Sequence, residues 1–117
     1  FAPCAYEISS IHQLKREVFG PILHVIRFNM KNLEEVIKAI NSTGYGLTFG
    51  IHSRIDSTIK NVISQIKAGN IYVNRNMVGA VVGVHPFGGE GLSGTGPKAG
   101  GPNYLFRLVS EKTICIN

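Results

Sequence analysis

Hydrophobic and polar positions follow two different repeats along the first part of the chain. Apolar residues recur at helical spacing in two stripes, one within residues 33–40 and the other within residues 55–66. Short apolar runs precede, separate and follow these stripes, and such runs are typical of buried strands. The runs occupy residues 3–8, 22–28, 47–52 and 71–74. The pattern therefore predicts two helices placed between strands.

The ends of the two predicted helices carry recognisable residues. Asn32 can accept a hydrogen bond from a free N–H at the start of the first helix, and Glu35 completes an arrangement close to a capping box. Gly44 follows the last apolar position and suits the end of that helix. In the same way, Gly69 suits a left-handed end of the second helix.

The order strand, helix, strand, helix, strand predicts an α/β fold in which right-handed crossovers join parallel strands. A long glycine-rich loop is expected over residues 75–102, followed by a final strand or two within residues 104–109 and 113–116. Loops of this length inside a compact domain are usually functional. The loop also starts at the carboxyl end of a strand, where open α/β sheets bind ligands, and we expect it to form the site.

Composition narrows the classes of partner. The 117 residues suit about one domain, and the net charge of +5 is modest. Lysine and arginine are scattered rather than clustered, so no nucleic-acid partner is expected. The histidines have no metal-ligand spacing, so no metal site is expected. No apolar run approaches the ~20 residues that a membrane span needs.

The two cysteines, Cys4 and Cys115, lie near opposite ends of the chain without a C-x-x-C spacing. Both are interpreted as structural, because neither has a nearby base or helix start that would activate a thiolate. A disulfide between them is conceivable, and a reduced, cytoplasmic chain is the preferred interpretation. The chain starts at Phe1 without Met, and we expect it to be a piece of a longer protein.

Gly89, Gly91 and Gly94 match the spacing G-x-G-x-x-G, but the match is rejected as a dinucleotide-binding fingerprint. That fingerprint needs a strand before it and a helix after it. Here Pro86 precedes the glycines, and Pro97 forbids a regular helix behind them.

Four other places are candidates for ligand contact. Gly79 and Ala80 have almost no side chain, so their peptide N–H groups could hold a carboxylate; alternatively, they form a turn where small residues avoid a clash. Phe87 could form the wall of a pocket or fill a gap in the core, and His85 could line a pocket. Glu17 could accept from both hydroxyls of a ribose or form a surface salt bridge.

Residues 17–21, Glu-Val-Phe-Gly-Pro, together with residues 86–89, Pro-Phe-Gly-Gly, resemble the C-terminal part of NAD(P)-dependent aldehyde dehydrogenases. Residues 73–83 and 91–102 are similar to the bacterial bifunctional proline utilization enzymes, whose aldehyde dehydrogenase domain oxidises L-glutamate γ-semialdehyde. The resemblance covers essentially all 117 residues. It implies a single fragment, the parallel-sheet half of such a catalytic domain with a Gly-rich loop and a C-terminal strand.

The resemblance also implies a role for each candidate residue. Glu17 matches the glutamate that holds the nicotinamide ribose hydroxyls of NAD, and Phe19 matches the aromatic residue beside the nicotinamide. Gly79 and Ala80 match the loop whose amides anchor the α-carboxylate of the substrate. Phe87 matches one of the rings that enclose the aliphatic chain of the substrate.

The same resemblance implies what the chain does not contain. The nucleophilic cysteine, the general-base glutamate and the dinucleotide-binding fold of the family correspond to upstream positions, so no catalytic residue is expected here. An FAD-dependent proline dehydrogenase domain of the parent would also lie outside this chain. Residues 103–117 resemble a segment that joins the sheet of a partner subunit, so a homo-oligomer is implied. The alternative is an assembly module that self-associates through an exposed sheet edge.

Overall fold

The computed structural model describes residues 1–78 and 80–117, and these divide into two compact units, residues 1–43 and 44–117. In chain order the strands and helices are β1 (Cys4–Glu7), β2 (Ile22–Val25), α1 (Leu33–Ser42), β3 (Tyr45–Gly46), β4 (Thr48–Ile51), α2 (Asp56–Gln65), β5 (Asn70–Val73) and β6 (Glu90–Gly91). Short 3-10 turns occupy Ile11–Gln13, Met30–Asn32 and Leu105–Leu108. Parallel strands combined with helices confirm the predicted α/β class.

The first unit contains a parallel strand pair and the amphipathic helix α1. Strands β1 and β2 pair in register from Cys4 opposite Ile22 to Glu7 opposite Val25. The apolar stripe of α1 buries Ile37, whose side chain is 2% exposed. Burial of an isoleucine side chain stabilises a fold by ~1.5–3 kcal/mol, so the predicted stripe contributes directly to this unit.

Helix α1 begins differently from the prediction. Asn32 occupies the position before the helix, but its side chain makes no capping hydrogen bond. Instead, the side chain of Asn29 accepts from the Lys31 amide at 2.9 Å, at the start of the 3-10 turn. The predicted capping box from Asn32 and Glu35 is therefore wrong, because the extra turn moves the capped end of the segment upstream.

The second unit contains a strand–helix–strand arrangement in which α2 connects β4 to β5. The two strands pair in parallel, starting with Thr48 opposite Asn70. Helix α2 buries Val62, Ile66 is buried directly after the helix ends, and β5 buries Tyr72. The predicted stripe in residues 55–66 is thus only partly buried, since Ile55, before the helix, is 59% exposed and Ile63 is 36% exposed.

The strands form smaller sheets than the predicted succession of elements suggests. Within the described ranges the strands form three two-stranded sheets: β1 with β2, β4 with β5, and β3 with β6. The first two sheets are parallel, as predicted, and the third is antiparallel. Strand β2 pairs with β1, and β4 pairs with β5. The three strands β2, β4 and β5 therefore do not share one sheet.

Helix α2 ends without the left-handed glycine that the sequence predicts. Ile66 follows the helix in an extended conformation, with φ −71° and ψ 130°. Gly69 does not adopt a positive φ. A Cβ at position 69 would instead overlap the carbonyl oxygen of Gly88. The predicted helix end at Gly69 is wrong, and close approach of two backbone segments is the physical reason for glycine there.

The end of the chain also departs from the prediction. Leu105–Leu108 form a 3-10 turn, and residues 109–117 contain neither helix nor strand. The strands expected within 104–109 and 113–116 are therefore not formed in this structure. A strand needs a hydrogen-bonded neighbour to be stable, and no described strand pairs with this segment.

Membrane insertion has no support from the helices. Within residues 1–78 and 80–117, every helix is too short or too polar to cross a bilayer.

Candidate functional site

The long loop leaves β5 at Asn74, which ties the carboxyl ends of β4 and β5 together. Asn74 has a positive φ of 54° and donates its amide N–H to the carbonyl oxygen of Ile51 at 2.8 Å. Its side chain accepts from the Ser53 amide at 2.9 Å and donates to the Ser53 carbonyl oxygen at 3.0 Å. Asparagine tolerates the left-handed region better than most residues. The direction in which the loop departs is therefore fixed by three hydrogen bonds.

The first part of the loop folds back over the strand pair. A Cβ at Gly50 in β4 would lie 2.5 Å from the sulfur of Met77, so Met77 packs directly on the bare backbone of that strand. The guanidinium of Arg75 lies 5.1 Å from the centre of the Tyr72 ring, within the range of a cation–π contact. Both contacts hold the approach to Ala80 against β4 and β5.

Ala80 and Phe87 flank one tight turn. The Val81 carbonyl oxygen accepts from the amides of Val84 at 3.0 Å and His85 at 2.9 Å. The Val81 amide donates to Nδ1 of His85 at 3.3 Å. These bonds close the turn over residues 81–85, so Ala80 enters it on one arm and Phe87 leaves it on the other.

The predicted amide pair is only partly visible. Gly79 lies outside the described residues. Ala80 is half-buried, and no residue in the described ranges accepts a hydrogen bond from its N–H. An unpaired, partly buried amide is a group that a ligand can satisfy. The role of Ala80 as a carboxylate anchor stays a prediction.

The arm that carries Phe87 is held on both sides. The amide and carbonyl of Phe87 pair with those of Ala99, at 3.0 and 2.9 Å. On the other side, the side chain of Asn70 donates to the Pro86 carbonyl oxygen at 3.0 Å and accepts from the Gly88 amide at 3.3 Å. The Phe87 ring is half-buried on a backbone that is fixed at both neighbours.

An open cavity of about 470 Å³ lies where this arm meets β5. Arg75, His85 and Lys98 supply its basic and imidazole groups, beside Tyr72. The Tyr72 hydroxyl is buried and has no hydrogen-bond partner among the described residues. Phe87 is not part of the lining, and His85 is, as the sequence had suggested it could be.

The two predicted cofactor contacts, Glu17 and Phe19, lie in the first unit and are both exposed. Phe19 is 93% exposed. Gly20 follows with a φ of 145°, and its carbonyl oxygen accepts from the Ile22 amide at 2.9 Å as the chain enters β2. The segment therefore presents a carboxylate and an aromatic ring at a chain reversal.

Glu17 takes no part in the ion pair that the described residues form. That pair joins Arg27 to Glu7, with Nε and Oε1 2.9 Å apart. Both of its side chains are largely exposed, and exposed pairs of this kind contribute little to stability. The carboxylate of Glu17 is thus available to a ligand.

The glycines at 89, 91 and 94 do not form a dinucleotide-binding fingerprint. Gly91 ends the short strand β6, and a turn at Leu92 and Ser93 follows it rather than a helix. The hydroxyl of Ser93 accepts from the Gly46 amide at 3.0 Å, which fastens this turn to β3. The rejection of the motif is confirmed, because the helix that would hold a pyrophosphate is not there.

The two cysteines lie in different surroundings and are both free thiols. Cys4 is half-buried in β1, where the hydrogen bond between its side chain and Tyr6 raises the pKa of the tyrosine hydroxyl. Cys115 is exposed in the irregular end of the chain. Among the residues with described positions, no group of histidine, cysteine and carboxylate side chains could hold a metal ion.

The residues that sequence reasoning missed are Asn70 and Lys98. Lys98 donates from Nζ to the Gly69 carbonyl oxygen and, at 3.3 Å, to Oδ1 of Asn70. The available signal was Asn70 itself, a polar residue at the start of a buried strand. A buried amide must find hydrogen-bond partners, so such a residue indicates a contact with another segment.

The chain is similar to proteins of known class over most of its length. The bifunctional protein PutA of Klebsiella aerogenes is 63% identical over 110 residues, which cover 94% of this chain and 8% of that protein. This chain thus spans less than a tenth of the length of that relative.

Solved structures agree with the sequence comparison. A structure of proline utilization A with proline bound in remote sites matches with a TM-score of 0.89 and 63% identity, over 94% of this chain and 11% of that one. A 1-pyrroline-5-carboxylate dehydrogenase from Thermus with bound NAD matches with a TM-score of 0.70 and 44% identity, over 78% and 17%.

The model of the aldehyde dehydrogenase family matches residues 9–114, which include β2, the pair of β4 and β5, and the long loop. The sequence matches, the structural matches and the family model agree: this chain belongs to the aldehyde dehydrogenase family.

Proposed function

We propose that this chain is part of an NAD-dependent enzyme that oxidises L-glutamate γ-semialdehyde to L-glutamate in proline catabolism. In this proposal Glu17 and Phe19 hold the cofactor, and Gly79, Ala80 and Phe87 hold the substrate. The covalent chemistry belongs to parts of the enzyme outside this chain. The similarity to the proteins named PutA and 1-pyrroline-5-carboxylate dehydrogenase supports the proposal.

The observation that carries the proposal is the pair of arms on the turn over residues 81–85. Ala80 brings a free amide N–H to one arm, and Phe87 brings an aromatic ring to the other. The semialdehyde has a carboxylate at one end and a short aliphatic chain leading to the aldehyde. An amide can bind the carboxylate through a charge-assisted hydrogen bond, while a ring can cover the apolar chain.

The exposed residues of the first unit fit the nicotinamide end of NAD. The free carboxylate of Glu17 can accept hydrogen bonds from two ribose hydroxyls, and the ring of Phe19, 93% exposed, offers an apolar face. When bound, NAD supplies the hydride acceptor for aldehyde oxidation. The residues of this chain would hold and orient it.

The exposed end of the chain favours an additional role in assembly. Leu105, Phe106, Ile114 and Ile116 are each exposed by about 70% or more of their surface. Apolar side chains concentrated in one short segment mark an interaction surface. We propose that residues 103–117 contact another subunit of a homo-oligomer, in which a strand can form once a partner strand is present.

Replacement of Ala80 by leucine in the full-length enzyme should raise the KM for the semialdehyde about tenfold. The larger side chain obstructs the amide, and loss of one hydrogen bond to a charged group costs ~1.5–3 kcal/mol. The KM for NAD should change less than about twofold, because the obstructed contact is made only to the aldehyde. Steady-state kinetics with each substrate varied in turn measure both constants.

The matched control for this variant is Val82→Leu, at a position 98% exposed on the same turn. It should leave both constants unchanged. Equal increases in the KM of both substrates for Ala80→Leu would contradict the role of Ala80 as an anchor.

Replacement of Glu17 by glutamine should raise the KM for NAD about tenfold and leave the KM for the semialdehyde within about twofold. A neutral amide loses the charge that strengthens hydrogen bonds to the ribose hydroxyls, and such bonds contribute ~1.5–3 kcal/mol. The control is Glu35→Gln, an exposed carboxylate on α1. An unchanged response to NAD in the Glu17 variant would exclude the proposed role.

A further inference from the structure

Asn70 is the buried polar residue at the start of β5. Asn70 is only 9% exposed. Both ends of the side-chain amide are used, since Nδ2 donates to the Pro86 carbonyl oxygen at 3.0 Å and Oδ1 accepts from the Gly88 amide at 3.3 Å. The two partners are the residues on either side of Phe87.

The Asn70 side chain takes the place that the backbone of a neighbouring strand would occupy. In an extended segment, the carbonyl before a residue and the amide after it point to one side, and that residue's own amide and carbonyl point to the other. Asn70 binds the first pair, and Ala99 binds the second pair at 3.0 and 2.9 Å. All four backbone groups around Phe87 are therefore satisfied.

Lys98 determines which way the Asn70 amide faces. An ammonium group only donates hydrogen bonds, so it must meet the oxygen of the amide and not the nitrogen. Lys98 Nζ lies 3.3 Å from Oδ1 of Asn70 and also donates to the Gly69 carbonyl oxygen. A flipped amide would direct its NH₂ group towards the ammonium and towards the Gly88 amide, and both contacts would then be between donors.

We infer that Asn70, with its amide oriented by Lys98, is a positioning residue for Phe87 and through it for the aliphatic chain of the semialdehyde. The inference rests on the proposed function, because it gives the Phe87 ring its substrate. Catalysis is sensitive to small displacements, and a shift of about 1 Å in a bound substrate can cost up to 100-fold in rate. Loss of one of the bonds beside Phe87 removes a restraint on the position of its ring.

The test uses Asn70→Asp in the full-length enzyme, with and without Phe87→Ala. Aspartate keeps the shape of asparagine but cannot donate to the Pro86 carbonyl oxygen when ionised. With Phe87 present, the substitution should lower kcat/KM for the semialdehyde about tenfold and change the KM for NAD less than twofold. With Phe87→Ala, it should have almost no further effect, because residues that act through one group are not additive.

Lys98→Met provides a second variant that keeps Asn70 and its buried neighbours. It should lower kcat/KM for the semialdehyde about threefold, again only when Phe87 is present. The control for the asparagine variant is Asn61→Asp on the exposed face of α2. If Asn70→Asp yields no soluble enzyme, the effect of Lys98→Met with and without Phe87→Ala decides whether Phe87 is positioned by the Asn70 amide.

The outcomes separate the inference from the proposed function. If Phe87→Ala alone lowers kcat/KM for the semialdehyde but the Asn70 and Lys98 variants do not, the positioning role is refuted and the proposed function stands. An Asn70 effect of full size in the Phe87→Ala background also refutes it. If Phe87→Ala leaves kcat/KM unchanged, the assignment of Phe87 to the substrate fails.

Discussion

Replacement of Gly69 by alanine should destabilise the full-length enzyme by about 3 kcal/mol or more. A Cβ at this position would overlap the carbonyl oxygen of Gly88 and come within 2.9 Å of the Cα of Gly89. These neighbours are backbone atoms, which cannot rotate away as a side chain can. The substitution must therefore push the start of β5 away from the arm that carries Phe87.

The thermal inactivation of the full-length enzyme and its soluble yield measure this effect. Large proteins with several domains unfold irreversibly, so the half-life at a fixed temperature is the appropriate quantity. The half-life of the Gly69→Ala enzyme should fall at least tenfold at a temperature where the unchanged enzyme survives for minutes.

Gly50→Ala is the matched control, because a Cβ there also meets a neighbour at close range. That neighbour is the side chain of Met77, with its sulfur at 2.5 Å. Methionine is flexible and adapts to small changes, so the cost should stay near 1 kcal/mol or below. If Gly69→Ala proves as well tolerated as Gly50→Ala, the close backbone approach is not important for stability.

The elements of the fold follow from local patterns in the sequence. The stripes that predict α1 and α2 contain Ile37, Val62 and Ile66, and all three side chains are buried. A period of 3.6 residues brings such positions to one face whatever the rest of the chain does. The four strands predicted before residue 75 are likewise recovered, with ends shifted by at most three residues. The strands predicted within residues 104–109 and 113–116 are not formed, and the short strands β3 and β6 were not predicted.

What the sequence did not predict depends on contacts between distant segments. The reason for glycine at position 69 is the backbone at Gly88, which no local pattern reveals. The role of Asn70 depends on partners 16 and 18 residues away. The predicted strand near the end of the chain needs a partner strand, and its formation cannot be decided from its own residues.

In the candidate site, too, the sequence indicates single residues but not how they are arranged. Local composition made Ala80 and Phe87 candidates, each with a structural alternative, and the family resemblance gave them their expected roles. Their place on two arms of one turn depends on the hydrogen bonds of Val81, which the sequence does not show. The roles of Glu17, Phe19, Ala80 and Phe87 towards ligands stay predictions until the variants are measured.

The second prediction with a large expected effect concerns the chain by itself. The purified 117-residue chain should be inactive towards the semialdehyde with NAD. Its rate of oxidation should be below about one-thousandth of the rate of the full-length enzyme. Its two thiols are Cys4 and Cys115. A catalytic thiolate needs a base or a helix start beside it, and Cys4 lies within a strand while Cys115 is exposed in the irregular end of the chain.

The interior of the chain gives a second reason for this expectation. Among the described residues, the buried hydrophobic side chains are Ile37, Val62, Ile66 and Tyr72. Burying one such side chain contributes ~1.5–3 kcal/mol, whereas ordering each residue costs ~1–2 kcal/mol in backbone entropy. With so few buried apolar side chains to offset this cost, we expect the isolated chain to be only marginally stable.

The assay follows NADH formation with the purified chain, the full-length enzyme as positive control, and the chain supplied together with the remaining part of the enzyme as a separate polypeptide. Activity should be absent from the chain alone, and any recovery should require the second polypeptide. A rate from the chain alone that is abolished by Cys4→Ser or Cys115→Ser would show that it carries its own nucleophile. That result would overturn the division of labour in which this segment binds the cofactor and the substrate while the covalent step takes place elsewhere.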